Sequence, residues 1–490
     1  MIAMGAIEKT LQAHRARRVA RTMVILTGLL LLTGCKTFSP NGGMDLVTSV
    51  AGGELRKDVA AIRTVEEADA ARAHVEGLLR KPLTADAAVQ IALLNNRGLQ
   101  AAYNALGIAE AEMIQASLPP APTVSIERLT NPFEIEIERR IVANILSLLT
   151  LPARASVAAD RFHQAQLRAA EETLRVAAEA RRNYYRAVAS RELVGFLDQA
   201  KSAAETATQL AKRLGETGAM NKLDQAREQV FYADIAAQLA RTRQQAASER
   251  EKLVRSLGLW GGDLNFRLPA SLPQLPRAPR ALPDIEAEAV TRRVDLQIAR
   301  LELAALAKTY DLSQASRFVN LLELSGIRKT QKERETGEKL RSRGFEAEIQ
   351  IPIFDLGESR VRMAAETYMQ AFNKLTEKAV NVRSEARDAY RSYRSAYDIA
   401  RHYRNEVLPL RKIISDETLL RYNAMQIDVF SLLTEARQRI AATNQAIEAQ
   451  RDFWLASVDL GVSVVGGGVA GRGEAPGAMA AAAGGEAGGH

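Results

Sequence analysis

The chain is written twice. The stretch from Lys81 to about Leu259 and the stretch from Leu282 to about Leu460 follow one plan about 200 residues apart: a helix, short polar-apolar strands, a proline junction and a helical hairpin. Leu151-Pro152 opens the long helix of the first copy and Ile351-Pro352 that of the second, while AREQ (Ala226 to Gln229) and ARQR (Ala436 to Arg439) mark the returning helices. A duplication constrains the fold before any motif does, because neither half can be read as an independent enzyme domain without its twin.

Within the first copy a helix is expected from near Thr84, a capping residue, to Ser117, where Pro119-Pro120-Ala121-Pro122 stops it. Two strands follow, Thr123 to Leu129 and Phe133 to Val142, joined by Asn131-Pro132. In the second strand Glu134, Glu136 and Glu138 alternate with Ile135 and Ile137, a period of two that describes one wet and one apolar face. The second copy offers Val319 to Ile327, an expected charged loop from Arg328 to Arg343, and Gly344 to Phe354. There Phe345, Ala347, Ile349 and Ile351 face opposite to Glu346, Glu348 and Gln350. Roughly ten residues with this alternation is what a strand crossing an outer membrane looks like, and an ordinary half-exposed hairpin looks the same.

After each junction the chain becomes helical for a long way: Ala153 to about Leu214 contains no proline, and sixty residues reach ~90 Å. Its returning partner shows Leu223, Ala226, Val230, Ala233, Ala237 and Ala240, a heptad seam built largely of alanine. The second copy answers with Leu433, Ala436, Ile440, Thr443, Ile447 and Trp454, and Pro409 should kink its long helix near Glu406 to Leu408. The five prolines of Leu268 to Asp284 make an extended crossover linker. Tyr184, Tyr185, Tyr390, Tyr393 and Tyr397 fall on long helices at packing spacings, and Phe133, Phe345 and Phe354 sit near the expected strand ends.

The ends speak of export. Arg15, Arg17, Arg18 and Arg21 precede the apolar run Met23 to Thr33, which is short of a spanning helix and ends in LLTGC, with Cys35 the only cysteine. A lone cysteine rules out intrachain disulfides, so packing must supply stability. The formal charge of +8 falls to about +4 without the leader, and charges of both signs are interleaved along the helices, which is no nucleic-acid signature. The five histidines are widely separated, no metal-ligand spacing or catalytic constellation occurs, and neither an enzyme nor a cofactor is expected.

These residues resemble the TolC family of outer-membrane efflux ducts, in its acylated branch, over nearly the whole stretch from Lys81 to Leu460. The resemblance is carried by the lipobox at Cys35, the two helix-strand-strand-hairpin copies, IPIFDLGESR from Ile351 to Arg360, and the turns GETGAMNKLDQA and LRYNAMQIDVFSLL. It implies a mainly α fold with a small transmembrane β part, in which three chains pool four strands each into a twelve-stranded β-barrel continued by a long periplasmic α-helical barrel. The resemblance thus implies a homotrimer, and physics independently asks for several chains, since lipid forbids open sheet edges and single-chain bacterial barrels start at about eight strands.

The implied partners are outer-membrane lipid, a periplasmic adaptor (membrane fusion) protein and an inner-membrane pump. The implied function is passive export of small molecules or metal ions, and the rival reading is a lipid-anchored adaptor or helical scaffold without a pore. Cys35 would carry the lipid, a chance thiol being the alternative. The implied organisation is a signal peptide over 1–34, a lipidated segment over 35–80, the repeats over 81–259 and 284–461, the linker over 260–283, and a disordered Gly/Ala-rich tail over 462–490.

Family members place a glycine and, six residues on, an aspartate at the tunnel mouth. The first copy keeps both as Gly218 and Asp224. In the second copy Met425 and Ser431 hold those places, with Asp428 nearer the turn and Tyr422 at an aromatic position. These residues are expected at the periplasmic aperture and adaptor-docking end, or simply in turn chemistry. Glu134, Glu136, Glu138, Glu346, Glu348 and Gln350 are expected in the barrel lumen, as a cation-preferring lining or merely a solvated face.

Overall fold

A computed structural model describes residues 38–466, so Cys35, the leader and most of the terminal tail lie outside the described residues. The elements are α1 (Val65–Leu79), α2 (Ala85–Asn95), α3 (Arg97–Ser117), β1 (Thr123–Thr130), β2 (Glu134–Asn144), α4 (Leu151–Glu216) and α5 (Lys222–Leu257). From α2 onward the second half repeats the plan as α6 (Ile285–Arg292), α7 (Val294–Ala315), β3 (Leu321–Glu333), β4 (Lys339–Gln350), α8 (Glu358–His402) and α9 (Leu408–Asn423), which together answer α4, and α10 (Val429–Val464). The molecule is mainly helical with one small sheet, and the duplication is visible element by element.

The first helix of each copy is broken where a single helix was expected. Asn96 and Arg293 both adopt extended backbone angles and end α2 and α6. At the first break Asn96 turns its side chain to work: Oδ1 accepts from Leu99 N at 3.1 Å, and Nδ2 donates to the Ser256 carbonyl at 3.0 Å. A polar residue that satisfies both an incoming helix start and a neighbouring helix end favours interruption over continuation.

The two proline junctions differ. Pro152 sits in the first turn of α4, where a missing N–H is harmless. Pro352 instead ends the last strand's neighbourhood: β4 stops at Gln350, not Phe354, and α8 begins only at Glu358. Between them Leu356 and Gly357 take positive φ, and a Cβ at Gly357 would lie 2.1 Å from the Arg317 carbonyl oxygen, so only glycine fits. Asp355 locks this turn by accepting from Gly357 N at 2.9 Å and Ser359 Oγ at 2.5 Å.

The described chain forms two compact units. The first comprises residues 38–43, 107–162 and 305–366 and holds the sheet; the second comprises 44–106, 163–304 and 367–466 and holds the helical hairpins. In the first, all four strands pair antiparallel in sequence order, so β1 and β4 are free edges.

The stretch expected to be a charged loop is mostly strand. Arg328 to Glu333 and Lys339 to Arg343 pair in unbroken register, leaving only Arg334 to Glu338 as the turn. A period of two is invisible to hydropathy when both faces are polar, and the backbone ladder supplies the pairing. Phe345 is consequently a mid-strand residue.

In the second unit Phe453 anchors a core with Tyr393, Tyr397, Leu296 and Ala386. Its ring stands 5.5 Å from Tyr393, 5.7 Å from Tyr397 and 5.1 Å from Trp454, edge-on or tilted as aromatic quadrupoles prefer. The proline-rich linker packs on this core. Tyr397 Oη donates to the Arg277 carbonyl at 2.9 Å, Trp454 Nε1 to Pro273 at 3.0 Å, and Arg280 N donates to Tyr393 Oη at 3.1 Å. The tyrosines therefore do more than pack: they satisfy backbone groups that an extended linker leaves without a ladder.

Pro409 follows a π-helical turn at Tyr403–Val407, which absorbs the bond its missing N–H forfeits. Over the first half of α5 the side chains buried within the chain are Glu228, Phe231, Ile235 and Leu239. The alanine seam expected there, Leu223 to Ala240, is exposed along its length, because the heptad pattern describes a second face of the helix. No described helix is long and apolar enough to cross a membrane.

Candidate functional site

Directly opposed residues of an antiparallel ladder share a face. The register places Glu134, Glu136, Glu138, Glu346, Glu348 and Gln350 together on one face of the sheet, joined by Glu127, Glu323 and Glu333. Alternation along single strands disclosed the first six, and only the register adds the other three. This face is also the more enclosed along β3, where Ser325 is buried and Lys329 half-buried while Leu324 and Arg328 are exposed.

Eight carboxylates on this face meet two cations. Arg140 pairs with Glu138 and Glu346, each at 3.1 Å, tying β2 to β4 across the intervening strand. Lys329 pairs with Glu136, to which Gln331 also donates at 3.2 Å. Among the described residues Glu348 has no cation partner, so the face remains strongly acidic after its ion pairs are formed.

The hairpin ends form the second candidate region. Gly218 and Met425 both adopt left-handed backbone at φ 76° and 59°; Asn221 and Asp428 cap α5 and α10; Asp224 and Ser431 donate their backbone N–H groups to those caps, each at 2.8 Å. Each pair is 207 positions apart, whereas AREQ and ARQR are 210 apart, so those letters are not structural equivalents. Short Ala-Arg strings recur by chance on amphipathic helices; cap chemistry does not slip.

Asp224, Tyr422 and Asp428 line one cleft of about 550 Å³ together with Asn221, Met425 and Phe430. Gly218 and Ser431 stand beside it without lining it. Ser431 Oγ donates to Asp428 at 2.6 Å and holds its carboxyl below the usual carboxylate range. Arg227 reaches Asp224 at 3.2 Å and covers the Phe430 ring at 5.0 Å. Beneath them Glu228 is buried, with Oε2 lacking a hydrogen-bond partner, and burial pushes its carboxyl upward. Sequence reasoning missed Glu228, and the signal for it is a carboxylate in phase with Phe231 and Ile235. Among the described residues no group of three or more His, Cys, Asp or Glu could hold a metal ion.

Solved structures share this architecture. The chain superposes on a membrane protein from Pseudomonas aeruginosa with a TM-score of 0.67 at 18% identity, covering 80% of this chain and 93% of that one. It matches the CmeC outer membrane channel of Campylobacter jejuni with a TM-score of 0.64 at 16% identity, covering 78% and 86%. The outer membrane protein VceC of Vibrio cholerae gives 0.65 at 12% identity, covering 78% and 96%.

The fold is that of outer-membrane channels. No family model and no curated relative matches the sequence. At such identities the likeness carries the fold alone, and the chemistry must come from this chain's own residues.

Proposed function

We propose that this protein is an outer-membrane exit duct, through which small molecules or metal ions leave passively while an inner-membrane pump supplies the energy. The observation that carries the reading is the four-stranded sheet with two free edges, an acidic face and an opposite face that is apolar near the helices. In lipid an open edge leaves backbone groups unsatisfied, and four strands cannot close on themselves. Three chains pooling their strands make twelve, an even number that closes antiparallel. The exposed alanine seam of α5 fits the same assembly, because small side chains let rods from neighbouring chains approach closely.

On this reading the acidic face lines the lumen, the hairpin ends with Asp224, Tyr422 and Asp428 form the periplasmic aperture where an adaptor docks, and Cys35 carries a lipid in the outer membrane. The domain limits follow the duplication, with repeats over 81–259 and 284–461. Fractionation of outer membranes with comparison of unheated and boiled gel migration tests it. A heat-labile trimer in the outer membrane is expected; a monomer released without detergent after Cys35→Ser would favour a lipid-anchored adaptor or scaffold.

A further inference from the structure

Charge is divided between the two faces of the sheet more completely than a polar inside and an apolar outside require. The face opposite the glutamates carries Arg128, Arg139, Arg328, Lys332, Lys339, Arg341 and Arg343, and not one carboxylate. All seven are exposed. None of them makes an ion pair among the described residues, in contrast to Arg140 and Lys329 on the acidic face.

Their placement is ordered. At the helix end this face is apolar, in rows formed by Leu322 with Ile349, by Ala143, Leu324 and Ala347, and by Val124, Ile141 and Phe345. The next row toward the hairpins sets Arg139 opposite Arg328 and Arg328 opposite Arg343; Arg128 and Arg341 follow, then Lys332 opposite Lys339. Like charges directly opposed across strands repel, so a neighbouring anion is needed to make these rows favourable.

Rows two residues apart are spaced by ~7 Å, so three apolar rows span about 14 Å between their outer members, less than the ~25 Å apolar band of a transmembrane barrel. The first arginine row, one step further, lies about 21 Å from the far apolar row and so just inside that band, where a cation without a counter-ion is strongly disfavoured. Five of the seven cations are arginines, whose planar forks match phosphate oxygens in pairs.

We propose that this basic face is a docking surface for the phosphate groups of lipid headgroups in the leaflet facing away from the helices. The inference rests on the reading of the sheet as part of a lipid-embedded barrel. Guanidinium groups at the end of long apolar stems reach outward from the strand to the headgroup level while their methylenes stay with the acyl chains. The arginine row then fixes the depth at which the sheet sits, with the apolar rows below it and the lysines above.

The test uses the full-length protein purified in neutral detergent, mixed with micelles containing phosphatidic acid or diacylglycerol, which differ only in the phosphate. Bound lipid is counted after gel filtration. The wild type is expected to retain phosphatidic acid over diacylglycerol by at least about fivefold. Arg139→Gln/Arg328→Gln/Arg343→Gln should lose most of that preference, Arg139→Lys/Arg328→Lys/Arg343→Lys should keep part of it, and Arg140→Gln, on the other face, should keep all of it. Millimolar inorganic phosphate should not displace the lipid.

A detergent-requiring trimer whose lipid preference survives the triple glutamine substitution overturns the docking surface and leaves the barrel standing. So does equal retention of the two lipids, which marks apolar adhesion only, and so does displacement by inorganic phosphate, which marks a free-anion site. Wild-type protein released from membranes without detergent overturns both readings.

Discussion

Replacing Glu346 and Glu348 by glutamine tests whether the acidic face lines a conducting lumen. Each chain has eight carboxylates and two cations on that face, six excess negative charges, and three chains would pool eighteen. The double variant lowers the total to twelve. Where fixed charge exceeds mobile ions, the cation-to-anion ratio in a pore varies as the square of the fixed charge, so a fall to two-thirds lowers cation preference about twofold.

Arg140→Gln works in the other direction. It removes a cation that pairs with Glu138 and Glu346, raises the excess to twenty-one, and increases the ratio by roughly 1.4-fold on the same square law. The assay is the reversal potential of the trimer in a planar bilayer under a KCl gradient, near 0.1 M salt, where charges are screened over ~10 Å. At about 1 M, where screening shortens to ~3 Å, the three proteins should converge. Unchanged reversal potentials at low salt, or shifts of the same sign in both variants, would refute the assignment of this face to the lumen.

Other outcomes follow from the second unit. Phe453→Ala empties a site in contact with three aromatic rings and should reduce stability by about 3–5 kcal/mol, read as a lowered denaturation midpoint. Burial holds the Glu228 carboxyl above the usual carboxylate range in the folded chain. Its contribution is therefore fully present below ordinary carboxylate titration and is lost as pH rises through the raised value. Glu228→Gln should thus slow hydrogen exchange at the hairpin end at neutral pH and have little effect below ~pH 4. Gly218→Ala and Met425→Gly should move stability in opposite directions, each by about 1 kcal/mol, because both positions hold left-handed backbone that only glycine adopts freely. Thermal melts that shift the same way in both would contradict that account.

Much of the architecture was legible in the letters because it rests on local chemistry. Thr84 caps a helix as short polar side chains do, Pro409 marks a disturbed turn, and Glu134, Glu136 and Glu138 announce a two-faced strand. What stayed hidden depends on partners distant in sequence. Arg328 to Arg343 reads as loop until β3 and β4 pair it, and the charge segregation of the two faces exists only in the register. The Leu223 to Ala240 seam was visible, but nothing in a single helix says whether its partner is the same chain or another. Likewise Tyr393 and Tyr397 show helical spacing without showing that their hydroxyls meet the linker backbone.

If the free edges β1 and β4 close on neighbouring copies, a disulfide scan across those edges should trap that contact. With Cys35 the only native cysteine, Ser125→Cys on β1 can be combined in turn with Ser342→Cys, Gly344→Cys and Glu346→Cys on β4, and the membranes run on a non-reducing gel. At least one register should yield covalent dimers and trimers that reduction returns to monomer. Monomer alone in every pairing, from protein that remains in the outer membrane, would contradict that closure.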